Sequence, residues 1–96
     1  MNKPKKSNNW SNHSTRLVYE TVVQHYSWLD DFIGTVIDLA NTIEMEAGEL
    51  YWKKVSPNIA KSVLISTNWL EIAEFELKQM GVKDLYVGGK PVVVEL

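Results

Sequence analysis

"WLDDFIGTVIDLANTIEMEAGELYWK", residues 28–53, decides the fold. Counted at 100° per residue from Leu29, one broad side collects Leu29, Phe32, Ile33, Val36, Ile37, Leu39, Ala40, Ile43, Ala47, Leu50 and Tyr51. That spacing predicts a long amphipathic helix over about 28–53. Ser27 with Asp30 resembles a capping box that would start it. On the far side Asp31, Asp38 and Glu49 lie close together, with Thr35, Thr42 and Glu46 nearby. Asp31, Asp38, Met45 and Trp52 are spaced by sevens, so they stack as one stripe. Gly34 and Gly48 each cost up to ~1 kcal/mol against Ala in a helix, and mark a bend or a close helix crossing.

Outward from this helix, the punctuation is readable in both directions. Residues 1–12 are polar, aperiodic and basic, and read as a mostly flexible arm that Trp10 could pin. Ser14 or Thr15 can cap a first helix over about 15–26, with Val18, Tyr19, Val22, Val23 and Tyr26 at helical spacing. Ser56 and Pro57 open a short helix, about 57–66. Asn68 and Glu71 open another, about 68–80, and Gly81 stands where a left-handed C-terminal residue belongs. Two β-rich runs flank Gly88-Gly89, a hairpin signal, and Pro91 places its strand at an edge. The expected fold is mainly α (α+β): four helices in a small bundle with a C-terminal β-hairpin, forming a single domain over 13–96.

Composition narrows the function. The 96 residues contain no cysteine, which removes disulfides, Cys-based zinc sites and a thiol nucleophile. There is no apolar run of membrane-spanning length and no signal-peptide pattern, so a cytoplasmic location is expected. The net charge of −2 hides an asymmetry. Lys3, Lys5, Lys6 and Arg16 precede every acid, whereas residues 17–52 contain Glu20, Asp30, Asp31, Asp38, Glu44, Glu46 and Glu49 with no Lys or Arg. Helices ordinarily interleave the two signs.

Several patterns have a chemical reading. Glu46-x-x-Glu49 and Glu71-x-x-Glu74 each set two carboxylates one turn apart, and two such turns facing one another would form an oxygen cage for Mg²⁺. Glu49, however, lies on the polar side of its helix, and solvated or partner-facing carboxylates are the alternative. Glu76 falls among Trp69, Ile72, Ala73, Leu77 and Met80 on an apolar face. It must find a partner or shift its pKa; a Tyr hydroxyl or Lys61 would satisfy it, and a ligand or general-base role is the other reading. His13 and His25 stand at no diagnostic spacing from a serine or an acid and read as structural. "VGGKP" is a hairpin turn, not a phosphate loop. Helices 57–66 and 68–80 could form a helix-turn-helix, but Glu71, Glu74 and Glu76 against Lys78 oppose DNA. Met45 and Trp52 beside the acids suit an interface with a basic partner, since an indole supplies buried area and cation–π contact; otherwise another helix or a twin subunit covers Trp52.

Two resemblances bear on these patterns. "EMEAGEL", residues 44–50, resembles the helical motif of MazG-like all-α nucleotide pyrophosphohydrolases, which implies Mg²⁺ held by Glu46, Glu49, Glu71 and Glu74. That family usually has Asp where this chain has Glu74. "NNWSNHSTRLVYE", residues 8–20, resembles small phage and plasmid proteins that open Trp-x-Asn-x-x-Thr, here Trp10, Asn12 and Thr15. Some of these also have Asn-Trp-x-Glu-Ile-Ala, matched by Asn68, Trp69, Glu71, Ile72 and Ala73. The Trp after the Thr and the acidic Asn-Asp-Glu-Gly turn of many relatives are missing here. This second resemblance implies a mobile-element origin.

The reading that follows is a non-enzymatic phage-derived inhibitor of the anti-CRISPR or anti-restriction type. It would bind a host defence protein over a basic nucleic-acid-binding surface, without direct DNA binding and with no cofactor, and a homodimer is the oligomer considered. Asp31, Asp38, Met45, Glu46, Glu49 and Trp52 would form the contact face. The alternative is the Mg²⁺-dependent pyrophosphohydrolase.

Overall fold

The first amides of a helix have no partner inside it, so each helix begins where something else can accept them. In the computed structural model, which describes residues 10–96, three side chains do this. Asn12 Oδ1 accepts from Thr15 N at 2.8 Å and starts α1 (His13–Thr21). Thr35 starts α2 (Val36–Lys54): its Oγ1 accepts from Asp38 N at 3.1 Å, while Asp38 Oδ2 accepts from Thr35 N at 2.8 Å. Asn68 Oδ1 accepts from Glu71 N at 3.0 Å and starts α4 (Trp69–Gln79). Between them α3 (Pro57–Ser66) starts with Pro57, whose missing N–H needs no acceptor.

These four helices form the body of the fold, and two short antiparallel strand pairs complete it. The α2–α4 pair is the most extensive helix contact, and α1 lies against α3. Val18, Val22, Val36, Leu39, Ile43, Ile72 and Leu77 meet in the core without solvent contact. α4 ends in a Schellman motif: Val82 N donates to Leu77 O at 3.1 Å and Gly81 N to Lys78 O at 3.0 Å, with Gly81 at φ +92°. β2 (Tyr86–Val87) and β3 (Lys90–Pro91) form the expected hairpin, with Gly88 and Gly89 at φ +60° and +80° in its turn.

The structure departs from expectation at the starts of α1 and α2. α1 begins at His13, capped by Asn12 and not by Ser14 or Thr15, and breaks after Thr21 into a 3₁₀ turn, Val23–His25. The helix expected from residue 28 begins at Val36. Before it the chain turns at Leu29–Phe32, where Phe32 N donates to Leu29 O at 3.2 Å and Asp31 takes φ +57°. Asp tolerates this left-handed conformation better than most residues. The chain then runs extended as β1 (Ile33–Gly34), paired with β4 (Val94–Glu95), and Leu96 N donates to Phe32 O at 2.9 Å. Long-range strand pairing here overrides a local helical period. Gly34 is required by close approach, since a Cβ on it would lie 3.1 Å from Asp38 Oδ2 and from Phe32 Cζ. The Ser27–Asp30 capping box does not form; Thr35–Asp38 takes its place.

Residues 10–12, assigned to the arm from sequence, belong to the fold. Trp10 is 7% exposed, and its ring centroid lies 4.8 Å from that of Tyr19 and 5.2 Å from that of Phe75. Tyr19 and Phe75 in turn meet edge to face at 5.4 Å. Ser11 Oγ donates to Glu71 Oε1 at 2.6 Å and Ser11 N donates to the same carboxylate. Asn12 Nδ2 reaches Ser66 O at 2.9 Å. Thr15, fully buried, sits at the centre: its Oγ1 donates to Asn12 Oδ1 and accepts from Asn68 N, each at 2.8 Å. One hydroxyl therefore ties the cap of α1 to the cap of α4. Replacing Thr15 by Val keeps the volume but strands the Asn68 N–H, at a cost of about 1–3 kcal/mol. Urea unfolding should show that loss for Thr15→Val and a much smaller one for Thr15→Ser. Equal losses would mean that the methyl group, not the hydroxyl, holds the joint.

Candidate functional site

α2 reaches the surface along the side that carries its acids. Met45 is 70% exposed and Trp52 45% exposed, with Glu44, Glu46 and Glu49 in solvent around them. These residues sit together because Ala40, Ile43, Ala47 and Tyr51 turn the opposite side of the helix into the core. The stripe of residues spaced by sevens is shorter than the sequence indicates. Asp31 is in the turn before β1 and not on α2. Asp38 is on α2, but its carboxylate is committed to the cap at Thr35. The exposed face is thus Met45, Glu46, Glu49 and Trp52, joined by Glu44.

Near the C-terminal end of this face lies a groove of about 440 Å³. Glu44, Gly48, Glu49, Trp52 and Lys53 of α2 form one wall, and Leu64 of α3 and Trp69 of α4 complete it. Glu44, Gly48 and Trp52 are spaced by fours, so one helical row presents a carboxylate, a gap and an indole. Gly48 is not at a helix crossing, because a Cβ built on it would meet nothing within 4 Å. The ion pair among the described residues joins Arg16 Nη1 to Glu20 Oε1 at 3.3 Å, and neither Glu44 nor Glu49 enters one. Sequence periodicity assigned Trp69 to the apolar face of its helix, and Leu64 and Lys53 gave no signal as neighbours of Trp52. Gly48 gave one: a helix-interior glycine without a backbone reason.

The four-carboxylate cage does not assemble. Glu71 is held by Ser11, and Glu74 Oε2 accepts from the Tyr86 hydroxyl at 2.8 Å. Glu46 and Glu49 point away with the exposed face of α2. Among the described residues no three His, Asp or Glu side chains are placed to hold a metal ion. The acidic spacing along each helix is real, but the two pairs serve different neighbours. His13 Nδ1 lies 2.8 Å from Arg16 Nη2, and His25 Nε2 lies 3.0 Å from Glu20 O, which are local helix-end contacts.

Glu76 lies near enough to Tyr19 for its charge to act on the phenol, and its carboxyl has no hydrogen-bond partner among the described residues. Burial pushes its pKa up from 4.5 to about 7. The Tyr19 phenol is pushed up to about 12, by its own burial first and by the Glu76 charge second. No family, characterised protein or solved structure matches the chain. Among the described residues, no helix is long and apolar enough to cross a membrane.

Glu76 makes stability depend on pH in a set direction. Between pH about 4.5 and about 7 the folded carboxyl holds a proton that the unfolded one has lost. Stability therefore falls as pH rises through that window. Glu76→Gln should abolish this slope in urea unfolding and leave the variant more stable than the wild type at pH 8. A slope that survives the substitution would assign it to another group.

Proposed function

We propose that this chain is a non-enzymatic inhibitor of mobile-element origin. It binds a host defence protein, of the CRISPR-effector or restriction type, over that protein's basic nucleic-acid-binding surface. The observation that supports binding is the open side of α2: a half-exposed indole beside Glu44, Glu46 and Glu49, with no cation among the described residues paired to Glu44 or Glu49. Acids on an open face accelerate encounter with a basic partner, and an indole anchors the complex by burial once they meet. The mobile-element origin and the target class rest on the resemblance at residues 8–20. The acids that matter in this reading are Glu44, Glu46 and Glu49, since Asp38 is occupied in the cap and Asp31 lies elsewhere.

DNA cleavage by purified CRISPR effectors and restriction endonucleases, with and without the chain, tests this. At least one enzyme should be inhibited, and Glu44, Glu46 and Glu49 changed together to Lys should raise the inhibitory concentration at least tenfold. Trp52→Ala should do the same, as expected for loss of an interface anchor worth about 2 kcal/mol. Added salt should weaken inhibition by the wild type. If no enzyme in either class is inhibited, the target class is wrong. Inhibition that the triple Lys variant retains in full would remove the acidic face from it.

A further inference from the structure

We infer that the groove between Trp52 and Trp69 receives the guanidinium side chain of an arginine on an extended segment of the protein partner. This deepens the reading above and rests on it. Three features point the same way. First, two indoles from different helices line one open groove, and no ring contact ties them to each other among the described residues, so both offer apolar ring surface to a guest in that space. Second, Glu44 and Glu49 edge that space and take part in no ion pair among the described residues, while Lys53 supplies one opposing charge. The lining therefore favours a cation. Third, Gly48 gives the groove its depth. It weakens the middle of α2 relative to alanine, and no atom lies where its Cβ would stand. Nothing in the packing calls for glycine there, whereas a guest above it would.

A guanidinium fits these constraints better than an ammonium. It is planar, stacks on aromatic faces, sheds water more readily and offers several N–H donors to two carboxylates at once. The stem of Lys53 adds apolar wall, and its charge limits the groove to one cationic guest.

The probe is the blocked pentapeptide Ac-Ala-Ala-Arg-Ala-Ala-NH₂, titrated into the full chain while the indole N–H signals are followed by NMR. The indoles of Trp52 and Trp69 should shift together and saturate. The citrulline peptide, which has the same shape without the charge, should bind at least tenfold more weakly. Gly48→Leu should weaken the arginine peptide at least tenfold by filling the groove. Gly48→Ala should raise the melting temperature, which separates groove filling from damage to the fold. Glu44→Gln with Glu49→Gln should weaken binding several-fold, and Lys53→Met should strengthen it. Equal binding of the citrulline peptide, an unaffected Gly48→Leu variant, or weaker binding by Lys53→Met would each overturn the inference. Its failure is distinguishable from failure of the function proposed above. If the wild type and Gly48→Leu inhibit a nuclease alike, the groove falls and the acidic face stands. If the peptide behaves as expected and no nuclease is inhibited, the groove stands and the target class falls.

Discussion

A single buried hydroxyl holds the two halves of this molecule in register. Thr15 Oγ1 gives its proton to Asn12 and receives one from the Asn68 amide, so the starts of α1 and α4 meet at one oxygen. Around it Ser11 bonds Glu71, Asn12 bonds Ser66, and Trp10 closes over Tyr19 and Phe75. The geometry explains why the sequence shows two short motifs far apart. Trp10, Asn12 and Thr15 are one side of a joint, and Asn68 and Glu71 are the other. Their side chains cap, cross-link and pack. The exposed acids and indole of α2 are other residues.

Where sequence and structure agree, the determinant is local. Pro57 before a helix, Asn68 three residues before Glu71, Gly81 after the last helical turn and the Gly88-Gly89 pair each act within a few residues, and each does what its chemistry predicts. At the start of α2, where they disagree most, a distant partner decides. The period running through Leu29, Phe32 and Ile33 is helical, but β4 captures Ile33–Gly34, and α2 starts only at the Thr35–Asp38 cap. Glu71 was legible as an acid at a helix start, but not as the acceptor for Ser11, sixty residues away. The groove was half legible: Trp52 and the acids announced themselves, whereas Trp69 and Leu64 became its walls only through the packing of α2 on α3 and α4.

The carboxylates of this chain sort by what they touch. Asp38 and Glu71 accept amides, and Glu74 accepts a phenol. Glu76 is raised toward neutrality by burial, and its charge is felt by the Tyr19 phenol. Glu44, Glu46 and Glu49 keep to the open side of α2. Spacing alone grouped Glu46 and Glu49 with Glu71 and Glu74, but Glu71 and Glu74 bond to neighbours in the fold while Glu46 and Glu49 stand on the open side of α2.

The pairing of β1 with β4 also ties the entry of α2 to a segment far along the sequence. Ile33 stands opposite Glu95 and Gly34 opposite Val94, and Leu96 N donates to Phe32 O. A change at Val94 or Glu95 therefore acts on the chain just ahead of the Thr35–Asp38 cap as well as on its own surroundings.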